Sequence, residues 1–320
     1  MSNDIKAVEN QGLATEIRRL AAEKRAVIMA HYYTESVVQD VADFVGDSLA
    51  LAQYAAKTDA AIIVMCGVHF MGETCKILCP DKKVLVPDMN ATCSLAESCP
   101  ADEFEKFVGQ YPGSTVISYV NTTAAVKAVT DIVVTSGNAM KIVSSLPEDE
   151  KIIFGPDQNL GAYINSVTSR EMTLWPGACH VHSRFSVEGI LSLKREHPDA
   201  KVLAHPECKA PLLALADKVG STAALLKYVE ENGNGKYIVV TESGILHKMR
   251  QACPEAVFIP APPEVGEGMV GCHCNECEYM RMITLEKIYD CLMNEQPEMK
   301  VDEEIAKKAV LSINRMLEMS

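Results

Sequence analysis

Cysteine is the residue type whose spacing in this chain is most suggestive of chemistry. Residues 271–280 read GCHCNECEYM and put Cys272, Cys274 and Cys277 within six positions. One turn can aim thiolates this close at a single soft metal centre. Zinc ribbons use two separated C-x-x-C pairs, and the chain holds no second pair of that kind. An iron-sulfur cluster can instead collect its thiolates singly from distant loops. Plain burial and a redox thiol pair are the other readings of the same residues, so the choice falls to the elements that position them.

At 320 residues, the chain can bury a large core and divide into two or three modules. Aliphatic residues dominate and there is one tryptophan, Trp175, a composition that suits buried parallel strands covered by helices. The formal net charge of −13 repels nucleic acid and anionic membrane, while local donors can still hold a small anionic substrate. The N-terminal MSNDIKAVENQG is polar and mixed in charge, unlike a signal or transit peptide. No apolar run reaches the length of a membrane span. These features predict a cytoplasmic protein whose twelve cysteines serve metal binding, catalysis or burial rather than disulfides.

The chain opens with an amphipathic helix over about 13–23, then a buried strand at 26–30 that ends in His31-Tyr32-Tyr33. A helix is predicted at 36–45, and Gly46-Asp47-Ser48 opens another. The strand 61–65 leads into a helix through Met71 and Lys76, and the strand 84–86 is followed by Cys93. Such alternation predicts a parallel sheet. The same order returns late in the chain. The strand 201–204 ends in His205-Pro206-Glu207, Gly220-Ser221-Thr222 opens a helix, 237–240 ends in Thr241-Glu242-Ser243-Gly244, and 257–259 ends in Pro260. Val27 and Val202, Ser48 and Thr222, Ile62 and Ile238, and Val84 and Val257 lie 175, 174, 176 and 173 residues apart. An offset this steady marks an internal repeat. A shorter middle copy runs through 115–118, 131–134 and 152–154 to Gly177-Ala178-Cys179.

The predicted fold is therefore α/β: three pseudo-symmetric three-layer αβα modules with parallel sheets around a central cavity. The modules are 1–105 with the N-terminal helix, 106–190 and 191–275. Residues 276–320 carry the last cysteine and C-terminal helices that pack on the first module. Ligands of open parallel sheets gather beyond the carboxyl ends of the strands. Cys93, Cys179 and Cys277, one after the third strand of each copy, would then converge. A cubane cluster held by three cysteines leaves one iron free to act as a Lewis acid on hydroxyl or carboxylate oxygens. Cys66 and Cys75 fall in apolar segments and read as core, and Cys272 and Cys274 as spare thiols beside one ligand.

The sequence resembles the quinolinate synthase family over nearly its whole length. The matching stretches include Ala30-His31-Tyr32-Tyr33, Gly46-Asp47-Ser48, Gly67-Val68-His69-Phe70-Met71-Gly72-Glu73-Thr74, Tyr119-Val120-Asn121-Thr122 and Val134-Thr135-Ser136. They continue through Gly177-Ala178-Cys179-His180-Val181-His182, Ala204-His205-Pro206-Glu207, Val219-Gly220-Ser221-Thr222 and Cys277. The resemblance implies a triangle of three αβα modules with a central [4Fe-4S] cluster on Cys93, Cys179 and Cys277. Glu278 stands where the family commonly has proline after the last ligand. The implied reaction condenses iminoaspartate with dihydroxyacetone phosphate to quinolinate, phosphate and two waters in NAD biosynthesis. L-aspartate oxidase or aspartate dehydrogenase is the implied upstream supplier, with neither nucleic acid nor membrane as partner.

A histidine closing a strand is, by itself, a hydrogen-bonded loop residue. The resemblance makes His31 and Tyr33 substrate-binding, with Tyr33 a candidate acid/base. Tyr119 and Asn121 occupy the matching edge of the second copy and can hold carboxylate oxygens; His205 and Glu207 occupy that of the third. Glu207 is the candidate general base, because the keto-to-aldo isomerisation moves a carbon-bound proton and a carboxylate in a partly dry cavity can be tuned for that. Asp47-Ser48, Ser136-Gly137 and Ser221-Thr222 each open a predicted helix, cap it, and offer free N–H groups to phosphate or carboxylate. His182 bonds substrate or supports the site from behind, and Met71 forms an apolar wall. An aconitase-type hydro-lyase and a non-catalytic zinc-binding module are the alternatives.

Overall fold

The computed structural model describes residues 2–264 and 275–320. Its strands are short apolar runs, and the central ones are buried on both faces, as in sheets covered by helices on each side. β1 (Ala26–His31), β2 (Phe44–Gly46), β3 (Ile62–Cys66) and β4 (Lys83–Leu85) make the first sheet. β5 (Thr115–Tyr119), β6 (Ile132–Val134), β7 (Ile152–Gly155) and β8 (Thr173–Leu174) make the second. β9 (Lys201–Ala204), β10 (Lys218–Val219), β11 (Lys236–Val240) and β12 (Val257–Pro260) make the third. The orders are β2-β1-β3-β4, β6-β5-β7-β8 and β10-β9-β11-β12, with every pairing parallel. Each sheet thus turns back on itself around its first strand, the switch point where open α/β sheets bind ligands.

One device recurs in all three modules. Asp43 Oδ2 accepts the N–H of Ile28, Asp131 Oδ2 that of Val116 and Asp217 Oδ2 that of Val202, each at 2.8 Å. The aspartate N–H donates in turn to the carbonyl of the same residue, at 2.9, 2.9 and 2.8 Å. A carboxylate that satisfies a buried strand N–H while steering the chain into the neighbouring edge strand fixes how each module starts.

This device corrects two details of the sequence reading. The helix predicted at 36–45 is Ser36–Val41, because Ala42 is extended and Asp43 draws the chain into β2. In the middle copy, residues 131–134 match the edge strands β2 and β10, not the sheet's second long strand. The cysteines therefore follow the last of four strands in each module.

The first and second modules share one apolar core, which runs from Val27 and Ile63 through Ile117 and Val133 to Ile313 and Met316 of the last helix. The third module buries separate clusters around Val202 and Leu225. Of the C-terminal helices, Leu285–Asn294 packs on Ser2–Glu23 and β3 of the first module. Glu303–Met319 lies chiefly on β6 and the helix Ala124–Ala128 of the second, where the sequence reading placed it on the first. Among the described residues, no helix is long and apolar enough to cross a membrane.

Candidate active site where the three sheets meet

Strand register shows which residues are equivalent. His31 lies opposite Gly46 and Tyr119 opposite Val134, while Ala204, one residue before His205, lies opposite Val219. His31 and Tyr119 therefore end the first strand of their modules and His205 directly follows it, with Tyr33, Asn121 and Glu207 two residues later. The edge strands deliver Asp47-Ser48, Thr135-Ser136 and Ser221-Thr222 beside them.

These residues surround one cavity. Its walls include Cys93, Cys179 and Cys277 together with His31, Tyr33, Asp47, Ser48 and Met71 of the first module. Tyr119, Asn121, Ser136 and His182 come from the second module, and His205, Glu207 and Thr222 from the third. Of the described residues singled out as binding sites in the sequence, Gly137 and Ser221 do not line it; the Ser221 hydroxyl caps the helix Thr222–Asn232 through the N–H of Ala224. Asp47 caps Ser48–Lys57 in the same way, through Ala50. Ser136 and Gly137 do not open a helix: Ala139–Ser145 starts two residues later, behind Asn138. Cys272 and Cys274 lie outside the described residues.

A continuous polar chain crosses the cavity. The Tyr33 hydroxyl is 2.8 Å from both Thr222 Oγ1 and Thr241 Oγ1. Thr241 Oγ1 is 2.9 Å from His182 Nε2, and His182 Nδ1 is 2.9 Å from Glu207 Oε2. The other oxygen, Glu207 Oε1, accepts from the Tyr119 hydroxyl at 2.5 Å. His205 stacks on His182 with ring centres 4.6 Å apart and meets Ser136 Oγ through Nε2 at 3.1 Å. The Tyr33 N–H donates to His31 Nδ1 at 3.1 Å.

Glu207 is 3% exposed, so its charge needs partners. Burial presses its carboxyl pKa upward; the imidazoles of His182 and His205 and the Tyr119 hydroxyl outweigh that and hold it ionised. Burial pushes His31 down to about 3 and keeps its ring neutral. It also raises the phenols of Tyr33 and Tyr119 well above the ordinary tyrosine value, so both remain hydrogen-bond donors.

Two sets of residues could hold a metal. Cys179, His182 and Glu207 offer ligand atoms within 4.8 Å of one another. The 2.9 Å between His182 Nδ1 and Glu207 Oε2 is a hydrogen-bond contact. It is shorter than two ligands on bonds of roughly 2.0–2.1 Å would leave around a tetrahedral zinc ion. The three cysteines fit a soft centre better. Burial pushes Cys93 up to about 12, Cys277 up to about 11 and Cys179 well above the usual thiol value. Such thiols stay protonated unless a metal takes the place of the proton.

Sequence reasoning missed Thr135, Thr241, Glu242 and Asp157. Thr135 and Glu242 line the cavity, and Thr241 bridges Tyr33 to His182. Asp157 and Glu242 lie behind the cysteines, and burial raises both to about 7. The repeat was the available signal, since both acids stand two residues past the second long strand of their sheets.

Fold and site together define an α/β enzyme of three modules whose thiols, imidazoles, phenols and carboxylates converge on a metal-compatible cavity. The chain belongs to the quinolinate synthase family: a family profile described as Quinolinate synthetase A protein matches residues 15–318. It is 52% identical over 311 residues to the quinolinate synthase of Prochlorococcus marinus (strain MIT 9303), covering 97% of this chain and 91% of that one. It is 52% identical over 308 residues to that of Microcystis aeruginosa (strain NIES-843 / IAM M-2473), covering 96% and 95%. To that of Rippkaea orientalis (strain PCC 8801 / RF-1) it is 52% identical over 308 residues, covering 96% and 93%.

Proposed function

We propose that this protein condenses iminoaspartate with dihydroxyacetone phosphate to form quinolinate, phosphate and two waters. Cys93, Cys179 and Cys277 would hold a [4Fe-4S] cluster, which when bound supplies a Lewis-acidic iron without a protein ligand. Glu207 is the general base that moves the carbon-bound proton of the three-carbon substrate. The observation that carries this reading is its setting: a buried carboxylate, ionised by His182 and Tyr119, in the cavity that all three cysteines line.

The remaining residues divide the work by their chemistry. Tyr33 donates or recovers a proton through a hydroxyl that Thr222 and Thr241 fix. His31 and Asn121 orient the amino-acid-derived substrate, and His205 holds Ser136 and keeps Glu207 aimed inward. The helix starts at Ser48 and Thr222 offer backbone N–H groups to the carboxylates and the phosphate. Met71 excludes water along the apolar wall. L-aspartate oxidase or aspartate dehydrogenase would supply the unstable imine.

The test is an anaerobic assay with both substrates and chromatographic detection of quinolinate. Formation of quinolinate by the parent protein and its loss in Glu207→Gln is the expected result. Dehydration of a hydroxy acid without carbon–carbon bond formation would instead mark an aconitase-type hydro-lyase and end this reading.

A further inference from the structure

Two buried carboxylates to which the proposed reaction gives no role, Asp157 and the cavity-lining Glu242, occupy matching places. Pairing of Ala30 with Cys66, Ser118 with Gly155 and Ala204 with Val240 puts Val68, Asp157 and Glu242 two residues beyond β3, β7 and β11. Asp157 Oδ1 accepts the N–H groups of Asn159 and Leu160, at 2.7 and 3.0 Å, and so caps the helix Gln158–Thr168. Its other oxygen, Oδ2, accepts the N–H of Cys179 at 2.8 Å. Glu242 makes a related arrangement without capping its helix. Oε2 accepts the N–H of Gly244 at 2.7 Å, at the head of the helix Ile245–Ala252, and Oε1 accepts that of Cys277 at 3.1 Å.

Asp157 needs one oxygen for its helix cap, and Glu242 uses one on the N–H of Gly244, the N-cap residue of the next helix. In both modules the second oxygen serves the backbone of a cysteine instead, in side chains that are 0% and 1% exposed. Arg281 reinforces the third-module copy. It donates to Glu242 Oε1 from Nη2 and to the Tyr33 carbonyl from Nη1, both at 2.8 Å. The first module has Val68 at this position and no oxygen to offer.

We infer that Asp157 and Glu242 are positioning residues: each ties the backbone of its module's cysteine, Cys179 or Cys277, to the head of a rigid helix, so that those two thiols are held ready for metal. Cys93 lacks this tether, so it is the ligand whose backbone this device leaves to other contacts. The inference rests on the proposal that the three cysteines hold a metal. Partners behind the ligands of a metal site change its affinity by roughly 10- to 100-fold.

The experiment follows iron release from anaerobically purified, iron-loaded, full-length protein in excess EDTA, by the decay of thiolate-to-iron absorbance. Asp157→Asn keeps a capping oxygen but turns an N–H donor toward the N–H of Cys179. Asp157→Ser keeps a cap and offers no second acceptor. Both, and Glu242→Gln, should release iron roughly 10- to 100-fold faster than the parent. Ser186→Ala removes an unrelated cap, that of Val187–Glu196, and should leave release unchanged. Parental release rates in the Asp157 and Glu242 variants overturn the inference. So do rates that merely follow melting temperature across the set, Ser186→Ala included. Cys179→Ser separates the two layers. If it binds as much iron as the parent, the metal proposal fails and takes this one with it; if it binds none, the carboxylate variants decide alone. Should the Asp157 variants fail to fold, the release rate of Glu242→Gln decides in the same way, faster than the parent in support and equal to it in refutation.

Discussion

The Tyr119 hydroxyl, carried at the end of β5, reaches across the module boundary and donates to Glu207 Oε1 at 2.5 Å. The carboxylate proposed as the general base, in the third module, is thus held by a phenol of the second. Tyr119→Phe removes one charge-assisted bond, worth about 1.5–3 kcal/mol. The expected loss in kcat is roughly 10- to 100-fold, with a smaller change in KM. Glu207→Gln removes the base itself and should cost roughly 100- to 10,000-fold. Steady-state assays under anaerobic conditions measure both; a Glu207→Gln variant with parental kcat would remove Glu207 from the mechanism.

Replacing Cys93, Cys179 or Cys277 singly by serine should abolish stoichiometric iron and sulfide. Cys291 is also buried, but it packs between the N-terminal helix and β3, away from the cavity. Cys291→Ser should keep the full iron count, and elemental analysis of the four variants checks the contrast.

The repeated aspartate clamp is a folding feature rather than a catalytic one. Asp43→Ala, Asp131→Ala and Asp217→Ala each strand the N–H of a buried residue, Ile28, Val116 or Val202. The cost of one unsatisfied buried N–H is about 1–3 kcal/mol. Urea unfolding should show similar destabilisation for all three, and a neutral result in any module would break the equivalence.

Glu295 accepts from Lys24 at 2.8 Å and Lys83 at 2.5 Å, and these hydrogen bonds hold its carboxyl down to about 2 from an ordinary 4.5. A carboxyl whose folded value lies below its unfolded one adds stability above the unfolded value. That contribution is lost as pH falls through the folded value. The difference in urea midpoint between the parent and Glu295→Gln should therefore be constant above pH 5 and shrink between about pH 4.5 and 2. A difference that grew on acidification would contradict the clamp.

Most of the fold was legible because the central strands are continuous apolar runs and the repeat offset is steady. Three of the six edge strands were not. Phe44–Gly46, Thr173–Leu174 and Lys218–Val219 are two or three residues long, too short for any periodicity to register. They are created by pairing to a neighbour, which a single sequence does not display. The lining of the cavity was legible where residues end a strand or directly follow one, as His31, Tyr119 and His205 do. It was illegible where a side chain acts through another: Thr241 reads as a strand end and Asp157 as a turn residue until Tyr33 and Cys179 are brought against them.

The last helix has a consequence for how the chain must be made. Residues Ser312 and Arg315 donate to the carbonyls of Lys127 and Asp131, and Asn138 donates to the hydroxyl of Ser320. The flank of the middle sheet is thus sealed by a helix that is synthesised long after the sheet itself. During synthesis, Ile132 and Val133 wait unsealed for nearly two hundred codons, an interval in which a chaperone or a neighbouring nascent chain can reach them first.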